Sequence, residues 1–158
     1  MCGFAHLISR ESCARHTQSG VRIETDSAEG TERAAAELAG RLRPGDVVLV
    51  SGDLGSGKTT FVRGAVRALG VPDVVTSPTF TIGQVYGGGA GPEVAHLDLY
   101  RLESLAGEDP ALLDDYLTPD RIAFVEWPGI AEPEVGERVA ARVTLEHRGG
   151  DARVVSVE

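Results

Sequence analysis

A chain of 158 residues with 24 Asp and Glu against 15 Lys and Arg, net charge −9, is long enough for one domain with a real core and too short for two ordinary ones. That balance argues against a dedicated nucleic-acid surface, which needs a clustered cationic face, so any role near RNA would be indirect. No run of about 18 apolar residues occurs, which leaves no membrane span, and the apolar stretch in Met1 to Arg10 is too short for a secretory signal; a cytoplasmic enzyme is expected.

Residues 1–20 are expected to form a disordered extension or to lie outside the working protein, and 21–158 to form a single domain. Cys2 and Cys13 lack metal-ligand spacing and read as incidental thiols, and His6 and His16 as polar tail residues. Val21 to Thr25 alternates apolar and charged residues, the pattern of an edge strand with one wet face that joins a sheet antiparallel. Asp26 or Ser27 can cap a helix in which Ala34, Ala35, Leu38, Ala39 and Leu42 form the apolar stripe, stopped by Pro44 and Gly45. Thr31, early in that helix, is within reach of a nucleotide, although solvent is its default surrounding.

Asp46 to Val50 is apolar and β-branched, as in a strand buried on both faces of a parallel sheet. It runs into Gly52-Asp53-Leu54-Gly55-Ser56-Gly57-Lys58-Thr59, which fits the P-loop pattern, and the following Thr60 to Leu69 places Phe61, Ala65, Val66 and Leu69 on one side of a helix that Gly70 can close. The motif thus sits between strand and helix, the context it requires. Glycine-permitted backbone lets successive N–H groups converge on phosphate oxygens at a helix N-terminus. Lys58 would reach the β- and γ-phosphates, and the Thr59 hydroxyl would take one position of an octahedral Mg²⁺. Of the 15 basic residues, 14 are Arg and only Lys58 is Lys. Arg is a planar fork and Lys a compact point charge on a flexible stem, so this is a position where the two are not interchangeable.

The hydroxyl-rich Val74 to Thr81, broken by Pro78, reads either as a polar turn into a strand or as a switch loop whose hydroxyls meet a γ-phosphate. Phe80 to Tyr86 alternates like a strand, and Gly87 to Pro92 is a flexible connection. Val94 to Leu102 is a short strand with Asp98 near its C-terminal end, where ligands collect in open α/β sheets. Asp98 is accordingly a carboxylate for the outer sphere of Mg²⁺ or for positioning water, or else a strand-end cap. His96 reads as a half-buried sheet residue without a role. Residues 103–120 are acidic and broken by Gly107, Pro110 and Pro119, helical at most over Ala111 to Leu117. Arg121 to Glu126 is a buried strand ending in a carboxylate, the Walker-B arrangement with Glu in place of Asp; Glu126 would hold Mg²⁺ directly, hold it through water, or polarise an attacking water. Trp127 packs over the site or fills the core. Ala141 to Glu146 and Ala152 to Val157 flank Arg148-Gly149-Gly150-Asp151, a hairpin signal.

Taken together, Gly-Asp-Leu-Gly-Ser-Gly-Lys-Thr-Thr at 52–60, Thr-Ser-Pro-Thr-Phe-Thr at 76–81, His-Leu-Asp-Leu-Tyr-Arg-Leu at 96–102 and Val-Glu-Trp-Pro at 125–128 resemble, in residues and order, the TsaE (YjeE) family, the bacterial ATPase of tRNA threonylcarbamoyladenosine (t6A) biosynthesis. The resemblance covers roughly residues 21–158. It implies a P-loop α/β sheet with central parallel strands, antiparallel edge strands and helices on both faces, binding ATP or ADP with Mg²⁺. It further implies that TsaB and TsaD, which modify adenosine 37 of tRNA, are the partners, that ATP hydrolysis permits their complex to turn over, and that tRNA is met only through that complex. By carry-over Gly52, Asp53, Gly55, Ser56, Gly57, Lys58, Thr59 and Thr60 would bind nucleotide, Thr59 and Glu126 would hold the metal, Lys58, Asp98 and Glu126 would carry hydrolysis, and the Thr76 to Thr81 segment would support it. The leader and the Gly87 to Gly91 stretch look atypical of the family. The alternative is a small-molecule kinase sharing the P-loop, which would also need an acceptor pocket and a lid. A GTPase is ruled out: the chain has no Asn for the guanine-reading motif, and its one Lys lies in the P-loop.

Overall fold

The computed structural model describes residues 20–158 except 79, 80, 103, 106, 107 and 110. The expectations for Cys2, Cys13, His6, His16, Thr79, Phe80, Gly107 and Pro110 lie outside the described residues. The elements run β1 (Val21–Thr25), α1 (Ala28–Ala39), β2 (Val47–Ser51), α2 (Lys58–Ala68), β3 (Gly83–Tyr86), β4 (Glu93–Asp98), β5 (Arg121–Glu126), α3 (Glu132–Val135, between two 3₁₀ turns), β6 (Val139–His147) and β7 (Arg153–Val157). The strands form one sheet in the order β1-β7-β6-β2-β5-β4-β3. β6, β2, β5 and β4 are parallel; β3 pairs antiparallel with β4 on one side, and on the other β7 pairs antiparallel with both β6 and β1. This is the expected mixed sheet, with β1 at its edge.

β2 explains the layering. Successive strand residues point to opposite faces. Val48 and Val50 pack with Phe61, Val62, Ala65 and Val66 of α2 and Ala34, Ala35 and Leu38 of α1, whereas Val47 and Leu49 pack with Leu113, Leu117, Ala131 and Val135 beneath the other face. All four valine and leucine side chains are buried, as a central parallel strand requires. Both long helices therefore cover one face. Short α3 and the residues around Leu113 and Leu117 cover the other, so the helical covering is unequal, and Ala111 to Tyr116 is turn, not helix.

Local chemistry sets the boundaries. Ser27, extended in backbone, accepts from the Gly30 N–H at 3.1 Å and is the cap of α1. That helix ends at Ala39, short of Pro44, because Arg41 and Leu42 turn back onto Leu38 and Ala39. Thr31 corrects the expectation of a solvent-facing residue: it is buried, and its hydroxyl lies 3.0 Å from that of Thr25, tying α1 to β1. α2 closes as Gly70, at φ +80°, lets Val71 N–H reach back to Val66 O. Where α1 and α2 cross there is room only for glycine: a Cβ on Gly64 would stand 2.5 Å from Glu32 Cα.

Register positions the site. Val50 pairs with Glu126 and Glu126 with Asp98, so three adjacent parallel strands end side by side at their C-terminal edge, where α2 begins. No helix among the described residues is long and apolar enough to cross a membrane.

Candidate functional site

The turn from β2 into α2 depends on glycine at its ends. Gly52 has φ +147°, and a Cβ there would lie 2.5 Å from both Leu145 O and Ser56 Oγ. Gly57, at φ +99°, is the left-handed residue that starts α2. Between them Ser56 N–H donates to Asp53 O at 3.1 Å. The Ser56 hydroxyl is buried with no hydrogen-bond partner, a polar atom that calls for an acceptor or donor from a bound group.

Lys58, only 5 % exposed, folds back on the loop, donating to Gly52 O at 2.8 Å and Asp53 O at 2.9 Å. Its Nζ lies 4.3 Å from the Trp127 ring centre, a cation–π contact. Burial pulls the ammonium below the usual lysine value, while Glu126, Asp98 and Asp53 draw it back up. Thr59 Oγ1 donates to Glu126 Oε1 at 3.1 Å. The second bond to Oε1 comes from His96 Nε2 at 2.8 Å. His96 is completely buried rather than half-buried as its strand pattern suggested.

Asp98 does two things at once. Its Oδ1 accepts from Tyr100 N–H at 3.1 Å, the strand-end cap, and its Oδ2 accepts from Ser77 Oγ at 3.1 Å. Ser77 belongs to the hydroxyl-rich segment, whose Thr76 backbone is held by the Tyr86 hydroxyl. Trp127 has φ +56°, the only non-glycine residue with positive φ among the described residues, a conformation that costs of order 1–3 kcal/mol and persists only where its surroundings enforce it. Here its N–H bonds to Val50 O at 3.2 Å, and its ring lies 4.9 Å from that of Tyr100. It packs over Lys58 and, only partly buried, against the edge of the second core, so it sits over the cavity rather than filling the core.

A cavity of about 350 Å³ gathers these groups. Gly55, Gly57, Lys58, Thr59, Thr60, Asp98 and Glu126 line it with Ser77, Trp127 and Arg153. Gly52 and Asp53 instead line a neighbouring cavity of about 490 Å³ behind Trp127 and reach this site through their carbonyls. Ser56, though in the loop, is buried and lines neither cavity. Arg153, at the start of β7, was not legible as a site residue: its Nη2 donates to Gly55 O at 3.3 Å, a contact spanning 98 positions of sequence that only the β6–β7–β1 pairing creates. Its one sequence signal was its place just after the Arg148 to Asp151 turn. His96 and Tyr100 were legible only as parts of the 96–102 motif.

These residues fit a magnesium–nucleotide. A loop with backbone N–H groups at a helix N-terminus, a lysine beside it, and a hydroxyl and carboxylate 3.1 Å apart are the donor types for a polyphosphate and a hard cation. Among the described residues no group of three or more His, Cys, Asp or Glu is placed to hold a metal by itself.

The family model for the threonylcarbamoyl adenosine biosynthesis protein TsaE matches residues 25–155. The tRNA threonylcarbamoyladenosine biosynthesis protein TsaE of Bacillus subtilis is 36 % identical over 136 residues, 86 % of this chain and 84 % of that protein. Its namesake in Streptomyces coelicolor is 44 % identical over 108 residues, 67 % and 73 % of the two chains. The crystal structure of Bacillus subtilis YdiB superposes with a TM-score of 0.69 at 30 % identity, covering 90 % of this chain and 87 % of that one. With the P-loop, the strand-end carboxylates and the mixed sheet in place, the chain belongs to the TsaE family.

Proposed function

We propose that residues 21–158 form the ATP-binding and ATP-hydrolysing subunit for tRNA t6A formation, acting in the cytoplasm on a complex of TsaB and TsaD to permit its turnover. The observation that carries this reading is the convergence of Lys58, the Thr59–Glu126 pair and Asp98 on one cavity. In it the 55–60 loop and Lys58 hold the phosphates. Thr59 and Glu126 hold Mg²⁺, which, when bound, neutralises phosphate charge and orients the reacting groups. Asp98, fixed by Ser77 and Tyr100, positions water, and Trp127 with Tyr100 shields the phosphate end. For Lys58 to serve it must leave the Gly52 and Asp53 carbonyls, so in this reading the ammonium exchanges two neutral acceptors for charged ones, a stronger class of hydrogen bond. An acidic chain acting through proteins needs no cationic face for tRNA.

The test is association with TsaB and TsaD, measured with ATP, with ADP and without nucleotide, together with hydrolysis. Association that depends on ATP, and hydrolysis that the partners raise, are expected. Lys58→Ala should abolish nucleotide binding by calorimetry. Glu126→Ala should keep binding and lower magnesium-dependent hydrolysis about 100-fold or more, the scale set by removing one preorganised charge-stabilising group. Nucleotide-independent association, or robust phosphoryl transfer to a metabolite by the isolated chain, would overturn the proposal, the latter in favour of a kinase.

A further inference from the structure

We infer that His96 is a positioning residue for the metal-binding carboxylate: its Nε2–H clamps one oxygen of Glu126 so that the other is presented to the cation. This rests on the proposed magnesium-nucleotide site. Register creates the clamp. His96 pairs with Phe124 and Asp98 with Glu126, which puts His96, Glu126 and Asp98 on the α2 face of neighbouring strands, with the imidazole one step behind the carboxylates. Oε1 of Glu126 receives both the His96 bond at 2.8 Å and the Thr59 bond at 3.1 Å. Oε2 accepts no hydrogen bond from the described residues, nor is it among their buried unpartnered atoms. It is therefore the oxygen left to the cavity that Glu126 lines.

The tautomer follows from the partners. A carboxylate oxygen only accepts, so the proton sits on Nε2, and Nδ1, which is buried and unpartnered, is the bare nitrogen. A histidine kept merely for volume needs no such bond. Between Val94 and Phe124, both 0 % exposed, an aliphatic side chain would fill the space without the cost of leaving a buried ring nitrogen unsatisfied. The arrangement trades that cost for one carboxylate oxygen fixed by two donors, as outer hydrogen bonds orient ligands in metal sites generally. Tyr86, whose ring centre lies 6.4 Å from that of His96, packs on the same side.

The experiment compares wild type, His96→Leu and His96→Gln by calorimetry of ADP binding, in chelator and across a magnesium titration, with thermal melting of each. In His96→Leu the magnesium concentration for half-maximal enhancement should rise about 10- to 100-fold, while metal-free ADP affinity stays within about twofold. His96→Gln, whose amide N–H can reach the same oxygen, should recover most of the loss. Wild-type half-saturation in His96→Leu, or no recovery in His96→Gln, would overturn the inference and leave the nucleotide site standing. A wild-type protein in which magnesium does not alter ADP binding would overturn both. Should His96→Leu fail to fold, ¹⁵N-histidine spectra of the wild type decide: a proton on Nε2 with a bare Nδ1 supports the clamp, and the opposite tautomer overturns it.

Discussion

At the scale of single residues, the site is a set of side chains whose bonds would have to be exchanged for a nucleotide. Lys58 and Thr59 were legible from eight consecutive residues, because a P-loop specifies both the backbone and the chemistry it presents. Asp98 and Glu126 were legible as strand-end acids, and the structure brings both to the same cavity. Arg153 was not, since its approach to Gly55 depends on how the last strand pairs and no local spacing encodes that. It lines the cavity with one Nη donating to a loop carbonyl, placing a fixed positive charge beside the 55–60 loop. Arg153→Ala should weaken ADP binding by about 10-fold, through loss of a positive charge that lines the cavity, and lower the melting temperature by a few degrees at most, since its three hydrogen bonds are to backbone carbonyls; calorimetry and a thermal melt of the same variant check both.

Among the elements, β2 and α2 were read nearly to the residue because apolar runs and helical periodicity encode burial directly. The 99–117 segment was unreadable for the opposite reason. It has no period; Leu113 and Leu117 are pinned under the sheet by contact with Leu97, Leu99 and Val135, not by regular backbone. The α1–α2 crossing tests the packing argument. Alanine is favoured over glycine in a helix by about 0.5–1 kcal/mol, but at Gly64 the added methyl would meet Glu32 Cα at 2.5 Å and Glu32 O at 2.6 Å, backbone that cannot swing aside. Overpacking of this kind costs about 1–3 kcal/mol and should win. Gly64→Ala is expected to melt several degrees lower, whereas Gly70→Ala, with open space around it but φ +80°, tests backbone strain alone.

For the whole molecule, stability at alkaline pH reflects two buried groups of opposite sign. Lys58 has its value lowered by burial, so between that lowered value and the usual 10.5 the unfolded chain holds the extra proton and stability rises with pH. Tyr86 has its value raised, chiefly by burial, from 10.0; its contribution is complete below 10.0 and is lost as pH climbs through the folded value. Urea midpoints followed upward from pH 9 should fall less steeply above pH 10 in Tyr86→Phe than in wild type. Charge balance and mixed sheet were legible across the chain; the unequal covering of the two faces was not, because composition does not say which face a connection will cross. One consequence reaches beyond stability. The sole tryptophan of the chain rests 4.3 Å from the sole lysine, so the protein contains its own optical reporter: when the ammonium swings from indole to phosphate, emission should shift in colour or intensity, tracking occupancy in real time with no dye attached, and Lys58→Met should leave that signal flat.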